Sequence, residues 1–405
     1  MKILMIAQRL PYPPDKGEKI RSYHELKYLA QRYDVWCACL IDDPADWAHV
    51  DAVRELCRDV AVVPQPRALG ALRAIGSVLF GGTITEGYFR STALQAAIAR
   101  WSAHVQFDAV LAFSSSVARY GLAVAARRRV VDLCDVDSAK WASYATRRHW
   151  PVRWLFGTEA KRLARHEWEL AAAFDAATVI SEREAERFRN AQAETAESSP
   201  PPVTVFCNGI DLDAFTPSAD PAPDPIVGFV GTMDYPPNTE AVCWFADRVW
   251  PRVRQDQPAA RFRIVGRSPT RRVRSLRHRP GIDVTGAVPK IQDELQRMQV
   301  CVVPIQMVHG LQNKVLEAMA CGKPVVATRA VAASAGAEPG RDLLVGDDEA
   351  SFAAEVATLL SDADRRQRVG AAARSFVETR FRWEDQLAVL ERLLCGGEEG
   401  VASGK

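Results

Sequence analysis

Short runs of apolar residues recur along this chain, each followed by a segment of helical period, and that alternation restricts the fold more than any other feature. Residues 2–7 (KILMIA), 34–40, 60–63, 107–113, 129–134, 174–180 and 203–207 read as strands in the first half, and 225–230, 261–265, 282–286, 300–305 and 341–346 in the second. After the first of them, Ile20, Tyr23, Leu26 and Leu29 recur at helical spacing. A strand that is apolar at nearly every position is buried on both faces. Sheets bury both faces when helices cover them, which is the parallel α/β arrangement. The length of 405 residues favours two or three domains.

Composition excludes several classes. A net charge of +2 is too balanced to mark a nucleic-acid binder, so any basic site must be local. Nine cysteines without a CxxC pair sit mostly inside apolar runs (Cys37, Cys39, Cys134, Cys301), where the thiol behaves as a small buried hydrophobe in a reduced, cytoplasmic setting. The apolar start is stopped by Gln8 and Arg9 before a signal-peptide core forms. The nearest approach to a membrane span, residues 68–82, is too short and carries Arg73. No His/Cys/Asp cluster has metal-ligand spacing, so no metal or other cofactor is expected.

Residues 308–328, VHGLQNKVLEAMACGKPVVAT, read as loop, helix, turn and strand, placed directly after the strand 300–305. The loop at Gly310 therefore leaves the carboxyl end of a parallel strand, where open α/β sheets bind ligands. A helix start offers unpaired N–H groups and the positive end of a dipole, both suited to phosphate, and Gly310 permits close approach. Lys314 and Glu317 are three apart and share a helix face, so Lys314 can reach an anion while Glu317 accepts hydrogen bonds from a ribose diol. A Lys/Glu pair at this spacing is equally at home on a solvated surface, and Gly-Lys-Pro is ordinary turn punctuation.

The stretch resembles the signature helix of the retaining glycosyltransferases of family 4 (glycosyltransferase group 1): a Glu, seven residues, a second Glu, then Ala-Met-Ala-x-Gly-x-Pro-Val-Val. Glu317 matches the second Glu, which in that family holds the donor ribose. The first, which approaches the transferred sugar, falls on His309, a departure. The resemblance extends over nearly the whole chain and implies the GT-B arrangement, two Rossmann-like domains with parallel sheets facing across a cleft. The expected division is an acceptor-side domain at 1–215 completed by a returning helix at 380–395, a Pro-rich linker at 216–225, a nucleotide-sugar-binding domain at 226–379, and a disordered tail at 396–405.

On this resemblance Gly231, after the strand 225–230, lies beside the donor phosphates. The Arg and Lys that clamp them in the family are replaced by Thr232, Met233 and Asn238, so Arg267 and Lys314 are the candidates to meet the phosphate charge. Gly310 and Leu311 join this donor set, and the loop Gly286-Ala287-Val288 is similar to the one that receives the base. On the acceptor side, Gly17 falls in the loop 9–19 that faces the cleft in the family, with Lys16, Lys19 and Arg21 crowded round it; a Pro-rich surface loop is the alternative. Asp135 and Asp137 end the strand 129–134 and could take a proton from, or orient, an acceptor hydroxyl, although Asp137 and Ser138 could instead cap the next helix. Their string Asp-Val-Asp-Ser-x-Lys-Trp resembles a narrower branch, the sugar transferases of bacterial exopolysaccharide (PEP-CTERM/exosortase) systems. Residues 141–165 mix Arg and Lys with Trp and Phe, a composition suited to an anionic membrane surface or to a basic helix whose aromatics fill the core.

The expected reaction is transfer of a hexose from a nucleoside diphosphate sugar to a hydroxyl of a glycan or lipid-linked acceptor, with retention, by a cytoplasmic protein peripheral to the inner membrane face. His309, Asp135 and Asp137 are the candidate catalytic residues. A non-catalytic sugar-nucleotide binder and a sugar-nucleotide epimerase of the same fold are the competing readings. A nicotinamide dehydrogenase is disfavoured because no GxGxxG follows any strand.

Overall fold

The computed structural model describes residues 1–14, 17–146, 148–192, 201–218, 222–308 and 311–396. The chain divides into two compact units: Met1–Cys207 together with the segment from Glu384 onward, and Asn208–Trp383.

The first unit is built on a seven-stranded sheet of β1 (Lys2–Ala7), β2 (Asp34–Ile41), β3 (Asp59–Pro64), β4 (Ala109–Phe113), β5 (Arg128–Cys134), β6 (Ala176–Val179) and β7 (Val203–Val205), in the order β3-β2-β1-β4-β5-β6-β7. Every pairing is parallel. Ile3 to Ala7 and Ala109 to Ala112 have no exposed surface, as strands covered on both faces require. The helix Trp383–Cys395 packs into this unit: Tyr28 and Tyr33 each donate to the Glu391 carboxylate at 2.6 Å, and Gln386 accepts the N–H of Cys207 at 2.9 Å.

The second unit holds a six-stranded sheet of β8 (Ile226–Val230), β9 (Arg261–Val265), β10 (Ile282–Gly286), β11 (Val300–Val303), β12 (Val325–Ala327) and β13 (Leu344–Val345), in the order β10-β9-β8-β11-β12-β13, again all parallel. The winding direction reverses between β1 and β4 in one sheet and between β8 and β11 in the other. At such a switch the loops leaving adjacent strands diverge and open a crevice at the strands' carboxyl ends.

Differences from the sequence expectation have local causes. The strand expected at 341–346 shrinks to Leu344–Val345, because Arg341 and Asp342 form a turn in which the Asp342 carboxylate accepts the Glu338 N–H at 2.8 Å and an Arg341 N–H at 2.8 Å. The basic segment 141–165 is not one helix. It splits into Asp137–Thr146 and Val152–Ala173, with Trp150-Pro151 between them. Its aromatics divide accordingly: Trp141 meets Phe156 edge-on at 4.9 Å, whereas Trp150 and Trp154 face solvent. The loop expected to reach Lys19 ends earlier, since the helix already begins at Gly17.

Candidate functional site

In the second unit the loops that leave β8, β9 and β10 are fastened in series. Gly231 donates its N–H to the Val265 carbonyl at 3.0 Å, Met233 to Arg267 at 2.9 Å, and Gly266 to Gly286 at 3.1 Å. Gly266 has φ +153°, and a Cβ there would stand 1.7 Å from the Gly231 carbonyl oxygen, so this junction requires glycine. The helix Pro236–Trp244 starts just beyond. From its first turn the buried Asn238 donates to the Thr232 carbonyl at 2.9 Å and accepts from Lys314 Nζ at 2.8 Å.

That second bond ties the β8 loop to the element after β11. The helix Asn313–Ala320 begins at Gln312, which makes no side-chain cap, and ends at Cys321 with Gly322 left-handed at φ +65°. Its apolar face, Val315, Leu316, Ala318 and Met319, is fully buried, which turns Lys314 and Glu317 to the half-buried side. Lys314 Nζ also donates to Gln312 Oε1 at 3.2 Å and lies 5.5 Å from the Phe229 ring centroid. Two of the ammonium's three protons are thus engaged by neutral oxygens. Burial pulls the Lys314 pKa down to about 8 against the attraction of Glu317. Burial likewise pushes Glu317 up to about 7, offset in part by Lys314. A cation and a carboxylate that lack full compensation are poised for a ligand that supplies it.

The other donor-side candidates are distributed as follows. Gly231 packs on Asn238: a Cβ would come within 2.8 Å of Asn238 Nδ2. Arg267, half-buried, follows β9, Val288 follows β10, and Leu311 precedes the helix Asn313–Ala320. His309 and Gly310 lie outside the described residues. Met233 has no exposed surface and Asn238 is almost wholly covered, so neither replaces a phosphate-binding cation: Met233 fills core and Asn238 is a strut for Lys314. The sequence reading passed over Gln312 and Asn313. Asn313 accepts from Asn208 at 3.2 Å, so the Asn-Gly segment at 208–209 is joined to the start of the same helix. The two residues are 105 positions apart in the chain, beyond the reach of any local pattern.

A cavity of about 180 Å³ lies against the same two elements, lined by Pro237, Glu240, Ala241 and Trp244 of the helix Pro236–Trp244 and by Pro304, Gln306 and Met307 after β11. A wider open groove of about 510 Å³ runs along the edge strand β10. Two of its arginines are already neutralised, Arg261 bidentate on Asp283 at 3.0 and 2.8 Å and Arg263 bidentate on Glu294 at 2.5 and 3.1 Å. It also lies beside the strands rather than beyond their carboxyl ends.

In the first unit, Asp135 and Asp137 follow β5. Both are half-buried, and burial first, then the nearby Glu184, raises the Asp135 pKa. Asp137 opens the helix Asp137–Thr146 with Lys140 at 3.8 Å. Ser138 does not cap that helix: its hydroxyl donates to Glu167 at 2.5 Å and its N–H to the same carboxylate at 3.2 Å. Glu167, unremarked in the sequence reading, anchors the turn, and burial lifts it to about 8 with Asp137 adding to the rise. Glu184 accepts the Val136 N–H at 3.0 Å, so its carboxylate serves this turn while its N–H bonds to Ser181 Oγ at 3.2 Å.

The cations expected round Gly17 do not gather at a ligand. Lys16 is outside the described residues, Lys19 is buried on Asp46 at 2.6 Å, and Arg21 is wholly internal. Arg21 donates to Asp132 at 2.5 and 3.1 Å and to the Phe206 carbonyl at 3.0 Å, and lies 3.6 Å from the Phe206 ring centroid. Thr178 adds a 2.8 Å bond to Asp132. Gly17 itself is exposed, and a Cβ added to it would meet nothing within 4 Å.

Residues 224–362 match the family model for glycosyl transferases, group 1. The match falls within the second unit. The GDP-mannose-dependent monoacylated alpha-(1-6)-phosphatidylinositol monomannoside mannosyltransferase of Corynebacterium glutamicum is 29% identical over 237 residues, which is 52% of this chain and 59% of that protein. The match thus spans somewhat over half of the relative's length. Among solved structures, Anabaena HepE in complex with UDP superposes with a TM-score of 0.69 at 17% identity, covering 98% of this chain and 100% of the other. Sucrose-phosphate synthase from Thermosynechococcus elongatus superposes with a TM-score of 0.71 at 18% identity, covering 98% of each chain. These superpositions establish the two-sheet GT-B fold, and the span matched to the family model lies in the second sheet's unit. Lys314, Glu317, Gly231 and Arg267 all fall within the span matched to the group 1 glycosyltransferase model. Among the described residues no His, Cys, Asp and Glu groups could hold a metal ion, and no helix is long and apolar enough to cross a membrane.

Proposed function

We propose that the chain is a retaining glycosyltransferase that moves a hexose from a nucleoside diphosphate sugar to a hydroxyl of a glycan or lipid-linked acceptor. The observation that carries this reading is the pair Lys314 and Glu317, under-compensated on one face of a helix at the sheet's switch point and tied through Asn238 to the β8 loop.

In this reading the diphosphate lies at the start of the helix Asn313–Ala320, where N–H groups, Lys314 and Arg267 meet its charge and Gly231 allows it close. Glu317 accepts from the ribose hydroxyls, and Leu311 and Val288 border the nucleoside. His309 reaches the transferred sugar; Asp135, Asp137 and Gly17 serve the acceptor side. The reaction needs no metal if the leaving diphosphate takes the acceptor proton in a front-face displacement. The protein then contributes electrostatic stabilisation of the developing diphosphate charge and exclusion of water. A lipid-linked acceptor is supported by the Corynebacterium relative, whose name specifies a phosphatidylinositol mannoside. The sequence string 135–141 supports a place in bacterial exopolysaccharide synthesis of the PEP-CTERM type, and the basic, aromatic segment 141–165 supports peripheral contact with an anionic membrane on its cytoplasmic side.

A thermal-shift panel of UDP, GDP, ADP and TDP sugars tests the reading. One base should stabilise the wild type and lose that effect in Lys314→Met and in Glu317→Ala. Stabilisation by none of them would remove the donor site.

A further inference from the structure

The helix Arg67–Leu79 is packed inside out. Its inward residues are small: Gly70 and Ala74 are buried, and a Cβ on Gly70 would stand 2.8 Å from the Tyr88 ring. Gly87, in the neighbouring helix Ile84–Tyr88, comes as close to it, since a Cβ placed there would stand 2.9 Å from the Arg73 carbonyl. The large residues point the other way. Leu72, Ile75 and Leu79 recur at helical spacing on the outer face with exposures of 66%, 60% and 77%, and Phe80 follows at 93%. A soluble surface does not retain such a row of large apolar side chains without something to cover it.

A second exposed group is fastened to the first. Trp150 and Trp154, 81% and 64% exposed, stand at the start of the helix Val152–Ala173. Further along that helix Arg162 donates to the Val78 and Gly82 carbonyls at 3.0 and 3.1 Å, and Glu159 accepts the N–H groups of Ile84 and Thr85 at 2.6 and 3.0 Å. These bonds lock both helices and the turn between them into one piece.

The charge pattern says what covers it. No Asp or Glu occurs in residues 60–85 or 141–158, whereas Arg67, Arg73, Arg148 and Arg153 do. At 1.5 Å per residue a helix of this length is roughly 20 Å long, too short to cross a bilayer of about 30 Å but suited to lying in its interface. Exposed tryptophans belong at the headgroup level and cations beside anionic lipid.

We propose that the outer face of the Arg67–Leu79 helix, with Phe80, Trp150 and Trp154, inserts into the headgroup layer of an anionic phospholipid bilayer. The proposal extends the membrane contact suggested above for residues 141–165 to a helix outside that segment, and it does not depend on the donor site. Flotation with vesicles of phosphatidylcholine alone and of phosphatidylcholine with phosphatidylglycerol tests it. The wild type should float with the anionic vesicles, weakly with the neutral ones, and less as salt rises. Leu72→Gln/Leu79→Gln/Phe80→Gln, and separately Trp150→Ala/Trp154→Ala, should reduce binding by about tenfold or more. Brominated lipid should quench wild-type tryptophan fluorescence, and less so in the double-tryptophan variant. Melting temperature and the nucleotide thermal shift should be unchanged in both variants, which separates failure here from failure of the donor reading. Wild type that ignores anionic vesicles at low salt, or a triple variant that binds as the wild type does, would overturn the proposal. So would a lipid-free dimer that the triple variant converts to monomer, since the face would then belong to a second copy.

Discussion

Each sheet has a cation held against carboxyl groups, and the two arrangements differ in how completely they are satisfied. Arg21, in the first unit, has no exposed surface: it meets both Asp132 oxygens and the Phe206 carbonyl, lies against an aromatic ring, and has Glu25 3.4 Å from its Nε. Burial, then the proximity of Asp132, pushes Glu25 well above the usual carboxylate range despite Arg21. Lys314, in the second unit, is half-buried and bonded only to amide oxygens, and the Glu317 carboxylate has no hydrogen-bond partner among the described residues. A buried charge whose neighbours complete it is structural. One held near neutrality by desolvation, in reach of solvent, gains from a ligand.

Substitution should separate the two most strongly in stability. Arg21→Met strands Asp132 in the core, and the expected loss is about 3–5 kcal/mol, read as a fall in the urea midpoint. Lys314→Met removes a charge that burial already disfavours and should leave the midpoint unchanged or raised, while abolishing nucleotide-induced stabilisation. Equal destabilisation by both would erase the distinction.

Next in size is the pair at the helix after β11. Glu317→Ala should weaken nucleotide binding by about 1.5–3 kcal/mol, the range for hydrogen bonds to a charged acceptor, and by more than His309→Ala does. The reverse order, measured by calorimetry with the free nucleoside diphosphate, would overturn the assignment of ribose to Glu317 and sugar to His309. The same pair sets a pH profile. Glu317 with a pKa of about 7 loses its acceptor charge as pH falls below that value, and Lys314 at about 8 loses its proton as pH rises above it. Affinity should therefore peak between the two and fall on both sides. Lys314→Arg should remove the alkaline limb alone, because guanidinium stays protonated.

What could be read from the chain beforehand follows the range of the interactions. The strands were legible because burial on both faces writes itself into consecutive residues such as Ile3 to Ala7, and Lys314 and Glu317 were legible because their relation is one helical turn. Contacts made by the fold were not. Arg21 and Asp132 are 111 residues apart, and Lys314 and Asn238 are 76 apart. Arg21 therefore reads as one of the cations crowded round Gly17, and Asn238 as a vacant phosphate position instead of a strut. Glu167 passed unnoticed for the same reason, since only the packed Val152–Ala173 helix brings it to Ser138.

The smallest expected effect concerns Gly17, where the comparison can be sharpened from the first unit's side. A glycine kept for close approach to substrate has either a backbone that other residues avoid or a surface that a methyl group would obstruct. Gly17 is at the first position of its helix, is not among the residues of positive φ, and has open space where a Cβ would stand. Replacing it costs the folded state nothing and restricts the unfolded chain, so Gly17→Ala should stabilise by about 0.4–1 kcal/mol. If the residue serves only the helix start, transfer activity should survive. If activity falls while stability rises, the open space beside Gly17 belongs to the acceptor, and the first unit contributes a contact that its interior does not reveal.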